Sequence, residues 1–146
     1  MQIFYFFCMM NFSTHIQILL SKIYIPVFWT IVVVFLLCIP GTMLPNEQNF
    51  SIPYFDKIVH MILFGMFVFL WCFYLNGRHY NSKRLVLLFF IVFILAEALG
   101  IAMEFVQKCC VPFRDFSKGD IIADLLGAGI AYGICNTFLI GENNSQ

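Results

Sequence analysis

Residues 55–71 read FDKIVHMILFGMFVFLW. An acid, a base and a histidine, Asp56, Lys57 and His60, stand at the threshold of a run that is otherwise apolar to Trp71. A segment made for lipid carries ionisable groups at its end to anchor it at the interface or to serve a site.

Composition settles what kind of run this is. Of 146 residues, 62% are hydrophobic, 18% aromatic and 11% charged, and the mean hydropathy is +0.90. A soluble domain carries about 25% charged residues, so this chain has too few to cover an aqueous surface. The expectation is an all-α, polytopic membrane protein of one domain, with membrane lipid as its first partner. A net charge of +0 lacks the basic excess that nucleic-acid binding requires. Cys38, Cys72 and Cys135 lie within apolar runs, where a thiol behaves as a small hydrophobe. Adjacent Cys109 and Cys110 lack the spacing of a zinc or redox motif.

Four segments, Ile23–Ile39, Ile58–Leu75, Leu85–Met103 and Ile121–Ile140, approach the roughly 17–25 residues that cross a bilayer. The stretches between them hold most of the charges and turn formers. The organisation expected is an N-terminal lead-in over 1–22, a transmembrane domain of four helices in an up-and-down bundle over 23–140, and a short polar tail over 141–146. The lead-in begins MQIFYFFCMMNF. That opening is apolar but too short to span alone, lacks the basic start and cleavage site of a signal peptide, and is expected at the interface; Met9 and Met10 offer alternative starts. Lysine and arginine divide evenly, Lys22, Arg78, Lys83 and Arg84 against Lys57, Lys108, Arg114 and Lys118. If Lys57 and Arg114 serve a site beside Asp56 and Asp115, the remaining bias puts both termini in the cytoplasm.

The up-and-down path gathers the polar groups at one face. Asp56, Lys57 and His60 open the second helix, Glu104 and Gln107 close the third, Arg114 lies in the loop, and Asp120 and Asp124 open the fourth. Helical spacing gives each helix one polar stripe: Asp56 with His60, Glu97 with Gly100, Glu104 and Gln107, and Asp120 with Asp124. Glu97 lies about 10 Å deeper than Glu104 at 1.5 Å per residue. An intramembrane acid costs several kcal/mol unless paired or hydrated, so these stripes should face the bundle interior. The plainer reading makes Asp56 and Asp120 helix caps, Lys57 and His60 interfacial anchors, and Glu104 a solvated helix end. Gly127, Ala128 and Ala131 share a face with Asp124, and Gly129 with Gly133 forms a small-residue pair on a neighbouring face; both patterns read as helix packing. No cofactor or metal is indicated, because His15, His60 and His79 lie in different contexts and no ligand spacing joins them.

The stretches DKIVHMILFGM, EALGIAMEFVQ and FRDFSKGDIIADLLGAGIAYG, in that order, resemble the VanZ-like family of small bacterial membrane proteins over roughly Pro26 to Ile140. That family shows a D-K-x-x-H opening, an E-x-x-Q helix end, an arginine, and a last helix beginning D-x-x-x-N-x-x-G. The resemblance implies a polar set of Asp56, Lys57, His60, Glu104, Gln107, Arg114, Asp120 and Gly127, with Asp124 where the family commonly has asparagine. It also implies the bacterial cytoplasmic membrane, and a link to tolerance of the glycopeptide teicoplanin.

Three functions would use a shared polar pocket of this kind. One is an envelope protein handling an amphiphilic, lipid-like or glycopeptide ligand, with Arg114, Lys57 and His60 toward its head. Another is a membrane-embedded enzyme with His60 or Glu104 as general base, although no H-E-x-x-H or G-x-S-x-G motif is present. The third is a proton-coupled transporter relaying through Glu97 and Glu104, which four helices would enclose only as a homo-oligomer.

Overall fold

The computed structural model describes residues 22–43, 54–78 and 80–140; the rest of the expected lead-in, the polar tail and His79 lie outside them. Every regular element among the described residues is helical. Helix α1 covers Tyr24–Leu37, α2 Phe55–Asn76, α3 Ser82–Cys110 and α4 Lys118–Cys135. A 3-10 turn, Gly41–Met43, follows α1, and a π-helical end, Asn136–Ile140, follows α4.

Three of these helices are long and apolar enough to cross a membrane: Phe55–Asn76, Ser82–Cys110 and Lys118–Ile140. Helix α1 has 14 residues, about 21 Å at 1.5 Å per residue, against a hydrocarbon core of about 30 Å. The long helices begin ahead of their apolar runs because polar residues start them. Asn81 accepts from the Arg84 N–H at 2.9 Å, and Ser117 Oγ accepts from the Asp120 N–H at 3.3 Å, each satisfying a donor the helix leaves unpaired. Helix α2 starts without a side-chain cap; its N-cap, Tyr54, is left-handed at φ 62°.

The surface is inverted relative to a soluble protein. Phe28, Ile31 and Phe35 on α1, Ile62 on α2, Leu87 and Leu95 on α3, and Ile122 and Ile130 on α4 all point outward. Such a continuous apolar exterior calls for lipid. Inside, Val33, Phe64, Val68, Leu85, Phe89 and Ala96 are fully buried.

The most extensive contact joins α2 to α4. The two run parallel, since successive partners keep nearly the same offset: Lys57 meets Asp120 and His60 meets Asp124, 63 and 64 residues apart. Below these pairs the backbones touch. A Cβ on Gly127 would fall on the Met61 carbonyl oxygen, and one on Gly65 would lie 3.2 Å from the Gly127 carbonyl oxygen. Ala128 and Ala131 are buried along the same contact. By contrast, a Cβ on Gly129 would meet only the Phe93 ring edge at 4.0 Å, and one on Gly133 nothing within 4 Å. Close approach therefore runs through Gly127, and the Gly129–Gly133 pair lies off it.

Helix α1 is tied on by polar bonds. The Trp29 indole N–H donates to the Leu63 carbonyl at 3.1 Å, Trp71 to Thr30 Oγ1 at 3.2 Å, and the Gln107 amide to the Leu37 carbonyl at 3.0 Å. The last of these closes one of the carbonyls a helix C-terminus leaves open.

Overpacking a close contact costs about 1–3 kcal/mol or more. Gly127→Leu should therefore lower the thermal midpoint of the purified protein in detergent sharply, while Gly133→Leu should leave it nearly unchanged. Equal effects of the two would contradict the crossing described here.

Candidate functional site

Because α2 and α4 start at the end of the bundle where α3 finishes, two helix N-termini, one C-terminus and the 111–117 loop converge there. Parallel helices present two positive dipole ends side by side, which favours acids in their first turns. Asp56 and Asp120 occupy those turns. Neither is the cap that the plainer sequence reading makes it: the N-caps are Tyr54 and Ser117, and both carboxylates reach sideways to cations.

Two ion pairs and one histidine–carboxylate hydrogen bond cross between elements. Arg114 Nη1 lies 3.3 Å from Asp56 Oδ1, Lys57 Nζ 3.2 Å from Asp120 Oδ1, and His60 Nδ1 3.0 Å from Asp124 Oδ1. The first two are partly open to the surroundings. The third is sealed, with side chains 2% and 1% exposed, so its strength depends on both partners being present.

Glu104, fully buried on α3, accepts the Ser117 N–H at 2.7 Å through Oε2. Ser117-Lys118-Gly119-Asp120 spells a capping box, in which the acid normally reaches back to the cap's own N–H. Here Glu104 takes that N–H, and Asp120 turns to Lys57 instead. Two glycines make room. A Cβ on Gly100 would sit 2.7 Å from Asp124 Oδ2, and one on Gly119 would sit 2.6 Å from Lys57 Cε.

Several polar atoms of the cluster are buried without a protein partner: His60 Nε2, Glu104 Oε1, Asp124 Oδ2 and Arg114 Nε. Each such atom costs about 1–3 kcal/mol. Glu97, deeper on α3, adds Oε1 to the set. Gln107 stands apart, spent on α1, and Asp115 is exposed. Gly100 falls on the polar stripe that the sequence shows, whereas Ser117 and Gly119 are positions of the cluster that sequence reasoning missed; the S-x-x-D spacing was the available signal for Ser117.

The absence of metal-ligand spacing in the sequence does not carry over to the fold. Among the described residues, Asp56, His60 and Asp120 each bring one ligand atom within 4.8 Å of the others. Asp120 arrives from a different helix, so a search for local spacing misses it. No protein-family model matches the chain, and neither a curated protein nor a solved structure matches it.

Removing one member of a buried hydrogen-bonded pair leaves the other unpaired, at a cost of about 1–3 kcal/mol, and more where the remaining group is charged. His60→Ala and Asp124→Ala should each destabilise the protein by that order in a denaturant titration in detergent. The double variant should cost clearly less than their sum, and strict additivity would show that the two side chains do not interact.

Proposed function

We propose that this chain is a VanZ-like protein of the bacterial cytoplasmic membrane that holds the polar head of an amphiphile at the Asp56–Lys57–His60–Glu104–Arg114–Asp120–Asp124 cluster. The observation that carries the reading is the group of buried, unpartnered polar atoms at the end of an otherwise apolar bundle. A structural network of caps and ion pairs would satisfy its own donors and acceptors, whereas a binding site leaves some to be met by its ligand.

The rim of the cluster supports the same reading. Tyr54 and Phe113 are 71% and 83% exposed, both with positive φ, a conformation costing about 1–2 kcal/mol for a residue with a side chain. One stands two residues before Asp56 and the other just before Arg114. An apolar rim around a polar centre suits a molecule with tail and head. In this proposal α1 completes a four-span, up-and-down bundle, both termini are cytoplasmic, and the cluster faces outward. A second reading draws on the His60–Asp124 pair, which leaves Nε2 as a general base for a membrane-embedded enzyme; turnover of a lipid-linked substrate would favour it.

Teicoplanin carries a fatty acyl chain that vancomycin lacks. Expression in a sensitive Gram-positive host should raise tolerance to teicoplanin more than to vancomycin, and Arg114→Ala at matched membrane levels should abolish the difference. Equal tolerance with wild-type and variant protein overturns the drug-related reading.

Orientation has its own test. In a background with its other cysteines replaced by serine, an Asp115→Cys thiol should react with a membrane-impermeant maleimide on intact cells, and a Lys83→Cys thiol only after lysis. The reverse pattern would put the cluster inside.

A further inference from the structure

We infer that Asp56, His60 and Asp120 form a binding site for one divalent cation of mixed nitrogen and oxygen preference, Zn2+ or Mn2+. Three ligand atoms from α2 and α4 already lie within 4.8 Å of one another. Bonds of about 2.0–2.2 Å set opposed ligands on a shared ion roughly 4 Å apart, so small side-chain rotations close the group on it.

The histidine provides the second, independent observation. A metal-ligating histidine almost always donates its other ring N–H to a carboxylate, a backbone carbonyl or water, which fixes the tautomer and the ring orientation. His60 has this arrangement: Nδ1 lies 3.0 Å from Asp124 Oδ1, and Nε2, on a side chain 2% exposed, has no partner. Asp124 is thereby a positioning residue, and Gly100 leaves space for its second oxygen. Beside them on α3, Glu104 is fully buried and its Oε1 is unpartnered.

Charge agrees. Four carboxylates, Asp56, Glu104, Asp120 and Asp124, face two cations, Lys57 and Arg114, and with a neutral imidazole the surplus is two negative charges. One divalent ion cancels it. The ion pairs of Lys57 and Arg114 occupy one oxygen of each aspartate, and a carboxylate has lone pairs enough to serve a cation and a metal together. Imidazole suits zinc and carboxylate suits manganese, which is the basis for the two ions named. The bound ion would offer its remaining coordination positions to an anionic head, but the site stands whether or not the amphiphile reading holds.

The test uses the full chain, purified in detergent, stripped with chelator, freed of affinity tag, and carrying Cys38→Ser, Cys109→Ser and Cys110→Ser so that the exposed thiols of the described residues take no part. Titration with Zn2+ and with Mn2+, read by calorimetry and by thermal midpoint, should give saturable binding of one ion per chain and a raised midpoint. Asp120→Asn and Asp56→Asn should weaken binding at least tenfold, and Asp124→Asn by about 10–100-fold, the usual range for an outer partner. Asp115→Asn, away from the cluster, should change nothing. Asp56 is 35% exposed, so Asp56→Asn is the variant least dependent on refolding of the core. No saturable binding by the folded wild-type chain, or binding that Asp56→Asn and Asp120→Asn leave intact, overturns the proposal. Drug tolerance does not enter, so this failure is distinct from that of the amphiphile reading.

Discussion

The parallel contact of α2 with α4 is the constraint on which the rest depends. With Gly65 and Gly127 facing each other across touching backbones, neither helix can slide without driving a carbonyl into its neighbour. That fixes the register in which Lys57 meets Asp120 and His60 meets Asp124. In lipid, where apolar faces gain little by leaving one apolar medium for another, close backbone packing and interhelical hydrogen bonds hold helices together. Here glycine contact and polar pairs act at adjacent levels of one interface, each positioning the other.

Helix α3 converts that pair into a site. It returns antiparallel to the same end and lodges Glu104 against the N-cap of α4, and the loop that follows it carries Arg114 to Asp56. A single carboxylate thus closes the loop, satisfies a helix terminus and releases Asp120 for Lys57. The cost is an incompletely satisfied centre, with buried donors and acceptors left open. Buried polar groups are nearly always hydrogen-bonded in folded proteins, and these exceptions concentrate at one end of the bundle, around a histidine already held by a carboxylate.

Much of this was legible in the sequence, for definite reasons. Apolar runs of spanning length located α2, α3 and α4, because lipid exposure demands them whatever the packing. The i, i+4 spacings of Asp56 with His60 and of Asp120 with Asp124 put each pair on one face, and the fold brings those faces together. Other features depended on contacts between helices. The run from Ile23 to Ile39 is apolar enough to look like a span, yet the helix it forms is Tyr24–Leu37. Gly127 and Gly129 both read as packing glycines on adjacent faces, and only the position of Met61 shows which face makes the close contact. Gln107 falls on the polar stripe of α3 but lies level with the end of α1, and it donates to Leu37. The cation group joins Asp120 to residues on α2, a proximity that sequence spacing does not record.

The register of α2 and α4 can be measured directly by spin-label distances in reconstituted membranes. Ile58 on α2 and Ile122 and Ile134 on α4 are all exposed, and the last two are offset along the axis by roughly 18 Å at 1.5 Å per residue. With native cysteines replaced by serine, labels at Ile58 and Ile122 should give the shorter distance, and labels at Ile58 and Ile134 a longer one that reflects this offset. Equal distances, or a shorter separation for Ile58 and Ile134, would contradict the parallel register and the polar cluster built on it.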